Sequence, residues 1–293
     1  MARRAYDDGV SAPLIDLHAH SSVSDGTESP AELVAAAVTA GLDVLAITDH
    51  DSTAGWVPAF EAAEGTGITV LPGMELSTQL DGASVHLLAY LIDPAHGGLL
   101  AETEKIRAER LHRAEAMVRR IAVDYALDWD DVLAQSQPGS TIGRPHIADA
   151  LVQRGHVPDR SAAFESILHW RGGYYRPHAA PKPLDGVELI VAAGGVPVLA
   201  HPGARGPDRV FTEKRIRALV DAGLAGLEIA HRDNPPASRE KWADVARRYG
   251  LIVTGSSDYH GTGKPNLLAE NTTDPEAYAR ILELGTGSNP FRG

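Results

Sequence analysis

What most constrains this chain is a short apolar strand that stops on two histidines. Pro13, Leu14 and Ile15 lead into Asp16-Leu17-His18-Ala19-His20. A β-strand places residues i and i+2 on one face, so His18 and His20 point the same way at its C-terminal end. Two adjacent imidazoles pack poorly and make a good start to a metal site. Alone, such a pair is more often two solvated histidines at a strand end, so the reading depends on what the other strand ends carry.

Those strand ends recur in a β-α rhythm. Ser29-Pro30-Ala31-Glu32 reads as a helix start, with Ser29 as N-cap, Pro30 at N1 and Glu32 closing a capping box. That helix should stop at Gly41. A strand over 44–48 then ends in Thr48-Asp49-His50, and the connection is of the parallel type, so His18, His20 and His50 share one sheet edge. A strand over 68–71 is followed by Glu75. Segments 76–80 and 83–91 flank Asp81-Gly82, a type I′ hairpin turn. That register sets Ser77 opposite His86 and makes Glu75 and His86 diagonal neighbours. Further strands over 196–200, 227–230 and 251–254 end near His201, His231 and Asp258-Tyr259-His260. About seven strands alternating with helices point to a β/α barrel.

Residues 101–180 interrupt the rhythm. A helix over 102–126 has apolar positions at Ile106, Leu111, Ala114, Met117, Val118 and Ile121, and its arginines read as a solvated face. Shorter helices follow over 145–154 and 161–170. The expected organisation is a barrel in two parts, 13–100 and 181–286, with a helical cap over 101–180.

Composition narrows the chemistry. With 293 residues the chain can bury a large core, and a net charge of -12 leaves no general basic surface for nucleic acid. No cysteine is present, so any metal must be held by His, Asp and Glu, which suits Mn, Fe or Zn. No signal peptide, and no apolar run long enough for a membrane span, is read from the sequence, and the expectation is a cytoplasmic protein.

Six of the thirteen histidines fall where the active face of such a barrel lies. Together the strand ends and hairpin collect His18, His20, Asp25, His50, Glu75, His86, His201, Asp258 and His260. Nine N/O ligands are too many for one ion and suit two or three, with a carboxylate such as Glu75 as the bridge.

In order along the chain, Asp16-Leu17-His18-Ala19-His20, Asp25-Gly26, Ile47-Thr48-Asp49-His50, Pro72-Gly73-Met74-Glu75, His86, His201-Pro202-Gly203 and Ser257-Asp258-Tyr259-His260-Gly261 resemble the motifs of the polymerase and histidinol phosphatase (PHP) family. The resemblance implies an α/β fold, a distorted (β/α)7 barrel with a helical insertion. It also implies a site of two to three divalent metals. The first would be held by His18, His20, Glu75 and Asp258, the second by Glu75, His86 and His201, and the third by Asp25, His50 and His260. The placing of the insertion and Gly143-Arg144-Pro145-His146 resemble a bacterial subgroup acting on nucleoside monophosphates, nucleoside 3′,5′-bisphosphates or short RNA 5′ ends.

The expected reaction is hydrolysis of a phosphate monoester by water acidified between two metals, with Glu75, Asp258 and Arg144 carrying catalysis. Arg144, a guanidinium at a helix start, would clamp the phosphate. His178 and Lys264 are expected as further substrate contacts, the alternative being a solvated loop histidine and a surface lysine. Asp49 is expected either to orient the ligand it precedes, His50, or to cap a helix. Glu228 and His231 are given no ligand role. The expected partner is a small phosphorylated nucleotide. A 5′-3′ exonuclease on short RNA would use the same site, and an amidohydrolase or a non-catalytic metal-binding domain are the readings of other classes.

Overall fold

The computed structural model describes residues 12–177, 179–204 and 210–293. The sheet runs β1 (Ile15–Asp16), β2 (Val44–Ile47), β3 (Thr69–Leu80), β4 (Ala83–Tyr90), β5 (Val196–Leu199), β6 (Gly226–Ala230) and β7 (Ile252–Gly255), in that spatial order. Its two edges meet through a parallel bridge between Ala19 and Tyr259, with the His20 amide donating to the Tyr259 carbonyl at 2.9 Å. A strand with neighbours on both sides leaves no edge to protect, and the sheet becomes a nearly closed seven-stranded barrel.

The distortion is β4. It pairs antiparallel with both β3 and β5, whereas β1, β2 and β3, and then β5, β6 and β7, pair parallel. Reversal puts the start of β4, and hence His86, at the end of the barrel where the parallel strands finish. The hairpin register is the expected one: Ser77 faces His86, and Asp81 and Gly82 both have positive φ, 49° and 78°. One expectation needs correcting. Strand 68–71 and the hairpin arm are a single strand, β3, which pairs with β2 through Pro72 and with β4 from Gly73. Proline lacks an amide donor, and this one falls where the strand changes partners. A short β8 (Phe291–Arg292), not expected from the sequence, pairs with β3.

The strands are buried on both faces, as parallel strands flanked by helices must be. Ile15, Val44, Ala46, Val196 and Val198 belong to one apolar cluster, closed by Ile281 of α10 (Pro275–Leu284). Leu45 and Ile47 belong to a second, shared with Leu33, Val34 and Ala37 of α1 (Pro30–Thr39) and Ala59 and Ala63 of α2 (Trp56–Ala63). The Ser29 hydroxyl accepts from the Glu32 amide while the Glu32 carboxylate accepts from the Ser29 amide, which starts α1 as read.

Between β4 and α7 (Pro183–Ala192) lie α3 (Gly97–Ile121), α4 (Trp129–Leu133), α5 (Arg144–Gln153) and α6 (Arg160–Glu165). They form a core of their own around Met117, Val132, Ile147, Leu151 and Leu168. After β5 come α8 (Glu213–Asp221) and α9 (Pro236–Tyr249), which complete the β-α alternation.

The arginines of α3 are not all solvated. Thr103, Ile106, Arg110, Ala114 and Met117 share the buried stripe, and Arg110 is only 7% exposed. Its Nε lies 3.1 Å from Asp51 Oδ2 and its Nη2 donates to Ser77 Oγ at 2.8 Å. Asp51, fully buried, also accepts from the amide and hydroxyl of Ser77. Replacing Asp51 with Ala would strand the Arg110 charge against the barrel. We expect a loss of roughly 3 kcal/mol in urea unfolding of the metal-free protein. Much of it should return when Arg110 is also changed to Met.

Candidate metal centre

Glu75 is the hub. Its Oε1 lies 2.7 Å from His86 Nδ1 and 3.1 Å from His201 Nε2. Its Oε2 lies 3.3 Å from His18 Nε2, 3.1 Å from His20 Nε2 and 3.2 Å from His50 Nδ1. Five imidazoles from four separate places in the chain therefore converge on one carboxylate that is 1% exposed. Asp258 Oδ1 lies 3.5 and 3.4 Å from the same atoms of His18 and His20. On the other side, Asp25 Oδ1 is 3.2 Å from His260 Nε2, and its Oδ2 is 3.7 Å from His50 Nε2. All nine side chains read from the sequence are thus within one connected cluster.

Backbone placement explains the convergence. His18 and His20 follow β1, with their Nε2 atoms 3.0 Å apart. Asp258 and His201 have positive φ, 53° and 26°. Each costs about 1–3 kcal/mol in a non-glycine residue, and the surrounding bonds offset it. Asp16 fixes the amides of Ser257 and Ala269, and the Glu228 carboxylate accepts from the His201 amide at 2.8 Å. Asp49 receives the Ser21 amide and both the Ser21 and Ser24 hydroxyls, and Ser24 Oγ lies 3.3 Å from His20 Nδ1. The sequence reading has Asp49 orienting His50, the ligand it precedes; it bonds Ser21 and Ser24 instead, and reaches the cluster through Ser24 beside His20.

The donor set fits divalent cations. His50 Nδ1 and His260 Nε2 are buried and, although each lies 3.2 Å from a carboxylate oxygen, neither makes a hydrogen bond among the described residues, which leaves both lone pairs for another partner. Four groups of three N/O donors lie within 4.8 Å of one another: His18, His20 and Glu75; His50, Glu75 and His86; His20, Asp25 and His260; and His18, His201 and Glu228. Nitrogen and oxygen donors without thiolate suit Mn, Fe or Zn.

That last group contains a residue the sequence reading set aside. Glu228 Oε1 is 3.0 Å from His18 Nδ1, the nitrogen facing away from Glu75. It orients the imidazole in the way carboxylates support metal-bound histidines. His231, equally buried, brings Nε2 within 3.5 Å of Asp258 Oδ2. Both close β6 at the same barrel edge as the other donors, and that position was the available signal.

Charge is balanced across the cluster. Burial alone would push His20 down, but Asp258, Glu75 and Asp25 outweigh it and hold it at about 9. His18 is likewise held well above its ordinary range, against burial, by Glu228, Glu75 and Asp258. Burial would raise Glu228, but His18, His231 and His201 bring it down to about 2.

A cavity of about 370 Å³ opens above the cluster, its floor formed by Asp25, Glu75 and Asp258 and its cap side by Arg110, Arg113 and Arg144. Arg144 begins α5, its guanidinium 5.1 Å from the Phe164 ring centre and 5.4 Å from that of Tyr175. Lys264 lines the cavity with Nζ 2.7 Å from Asp258 Oδ2. His178 lies outside the described residues.

An α/β barrel with this His/Asp/Glu cluster at its strand ends defines a metal-dependent hydrolase. The PHP domain profile matches residues 16–121. A 3′,5′-nucleoside bisphosphate phosphatase from Chromobacterium violaceum is 35% identical over 261 residues, 89% of this chain and 92% of its own. A phosphoribosyl 1,2-cyclic phosphate 1,2-diphosphodiesterase from Eggerthella lenta is 33% identical, covering 84% of this chain and 94% of its own. A 5′-3′ exoribonuclease from Haemophilus influenzae is 32% identical, covering 84% and 89%. Among solved structures, one described as a metal-dependent phosphoesterase from Bifidobacterium adolescentis superimposes with a TM-score of 0.90 at 43% identity, over 94% of this chain and 98% of that one. The chain belongs to the PHP family of metal-dependent phosphoesterases. No described helix is long and apolar enough to cross a membrane.

Proposed function

We propose that the protein hydrolyses a phosphate monoester on a small nucleotide, with a nucleoside 3′,5′-bisphosphate favoured over a 5′-monophosphate. One observation carries this reading: a single cavity is lined by seven of the nine donors and, facing them, by Arg110, Arg113 and Arg144. Its volume of about 370 Å³ is in the range of small-ligand pockets. Divalent ions, of which Mn or Fe fit best and Zn also fits, would be held by His18, His20, Asp25, His50, Glu75, His86, His201, Asp258 and His260; they would supply Lewis acidity and lower the pKa of a bound water.

The arginines do the rest. Arg144 is braced by two aromatic rings at a helix start, where a phosphate oxygen meets both guanidinium and backbone amides. It would bind the phosphoryl group and offset charge building on its oxygens. Burial, with Arg144 and Arg110 beside it, pulls Arg113 down to about 9. An anion beside Arg113 relieves that repulsion, so Arg113 would take a second phosphate next to the one that Arg144 binds. Lys264 screens Asp258 and borders the same space.

The test is phosphate release with Mn²⁺ from a nucleoside 5′-monophosphate, a 3′,5′-bisphosphate and a 5′-phosphorylated RNA oligonucleotide. The bisphosphate should be turned over best, and Arg144→Ala should lower its kcat/KM by about a hundredfold. Release from none of the three, in metal-loaded protein, would sink the proposal. A second reading, a 5′-3′ exonuclease on short RNA, has its own support. A further cavity of about 540 Å³, lined by Thr27, Gln135, Gln153 and Thr262, meets the first at Arg160 and could take a following nucleotide. Turnover of the oligonucleotide alone, with steep salt dependence, would favour it.

A further inference from the structure

Arg160 stands at the wall between the two cavities, and its hydrogen bonds run along that wall. Its Nε and Nη2 donate to the two carboxylate oxygens of Asp149 on α5, at 2.6 and 2.5 Å. That bidentate pair fixes the plane of the guanidinium. The remaining nitrogen, Nη1, donates to the backbone carbonyl of Asp25 at 3.0 Å. The same group lies against Gly263, where a Cβ would come within 2.1 Å of Nη1. The Gly263 amide in turn donates to the His260 carbonyl. Thr27, two residues beyond Asp25, sends its amide and its hydroxyl to that same carbonyl. One cap arginine therefore bonds the loop that carries Asp25 and packs against the loop that carries His260.

These loops also bond to each other directly, through Thr27 on the His260 carbonyl, the Thr262 amide on Thr27 Oγ1 at 2.9 Å and the Tyr259 hydroxyl on Glu28 at 3.0 Å, and Arg160 ties that joined pair to the cap. They are irregular, they come from opposite ends of the chain, and they must bring Asp25 Oδ1 and His260 Nε2 to 3.2 Å. Most other donors stand on or beside strands: Glu75 and His86 are in β3 and β4, and His18, His20, His50 and His201 follow β1, β2 and β5. Asp258 shares the loop of His260 but is held separately by Lys264 at 2.7 Å. The position made by Asp25, His50 and His260 is thus the part of the cluster that Arg160 of the cap bonds directly.

We propose that the Arg160–Asp149 pair is a positioning device for that one ion position, so that docking of the cap on the barrel sets its occupancy while leaving the Glu75-centred positions unaffected. The proposal rests on the metal-centre reading and is independent of which phosphoester is cleaved. It makes the cap a structural part of the metal centre as well as a cover for the substrate cavity.

The experiment is titration of metal-free full-length protein with Mn²⁺, by calorimetry and by metal analysis after dialysis, with no substrate present. Arg160→Met removes the clamp with similar bulk. Gly263→Ala keeps every charge and displaces the guanidinium by steric contact. Asp149→Asn weakens its anchor. In all three we expect one class of site to weaken by about 10–100-fold, with the remaining sites within about twofold of wild type, and Arg160→Lys should recover part of the loss. Thermal unfolding of each metal-free variant checks the fold, and Gly263→Ala serves if Arg160→Met does not fold. Unchanged isotherms, or equal weakening of every site, would overturn the proposal. So would a wild type that binds only two ions with variants to match. Phosphate release by the wild type reports separately on the phosphoesterase reading, so the two can fail independently.

Discussion

Glu75→Gln should abolish phosphoester hydrolysis, with kcat falling about a thousandfold or more, and should strip the protein of most of its metal. The substitution changes almost no volume. What it removes is the one carboxylate that faces His86, His201, His18, His20 and His50 together, at 2.7–3.3 Å. An amide offers one acceptor oxygen and two N–H donors. The donors would meet imidazole nitrogens that must stay free to bind a cation, and the bridging charge would be lost. Loss of a single electrostatic contact at a reacting centre already costs about 10²–10³ in rate, and here the contact also assembles the centre. The measurements are phosphate release and metal content on the same preparation. A variant with normal metal content and near-normal turnover would remove Glu75 from its place as bridge. Metal retained with turnover lost would mean that the bridge serves chemistry more than binding.

The centre was legible because its donors obey strand geometry. His18 and His20 share a face by the i, i+2 rule, and their Nε2 atoms do meet. Glu75 and His86 meet because Asp81-Gly82 fixes a two-residue turn, which leaves no freedom in the register. The parallel ladders then bring every strand end to one side of the barrel. What escaped the sequence reading was less local. Glu228 and His231 close β6 at the same edge, but they stand in no repeated pattern, and only the fold reveals that they support His18 and Asp258. Arg110 occupies the i, i+4 spacing from Ile106 to Ala114, a buried stripe hidden among solvated arginines. Its partner Asp51 lies across the cap-barrel boundary, which no spacing within one helix can report. The unbroken β3 was missed for a similar reason. Pro72-Gly73 is ordinary punctuation between elements, and here it marks the change from a parallel to an antiparallel neighbour.

Metal loading should be strongly pH-dependent, with apparent Mn²⁺ affinity rising about tenfold per pH unit for each proton displaced. Imidazoles bind cations only when neutral. In the metal-free cluster His20 is held at about 9, and His18 too lies well above its ordinary value of 6.5. Below pH 9 a cation must therefore expel protons, and if both histidines contribute the rise approaches a hundredfold per unit. Stability of the metal-free fold runs the other way. A histidine held above its unfolded value stabilises the fold fully below about 6.5, and that contribution is lost as pH rises through the folded value, near 9 for His20. Glu228, held at about 2, contributes above its ordinary 4.5 and loses that contribution as pH falls toward 2. These terms alone place the metal-free protein at its most stable between about 4.5 and 6.5, and metal affinity at its greatest well above that window. Calorimetric titrations at pH 6.5, 7.5 and 8.5, in buffers of different ionisation enthalpy, count the protons directly. Glu228→Gln takes away the charge that first opposes burial at His18, so it should flatten the slope by up to one proton. A wild-type slope near zero would mean that His18 and His20 are already neutral before the cation arrives.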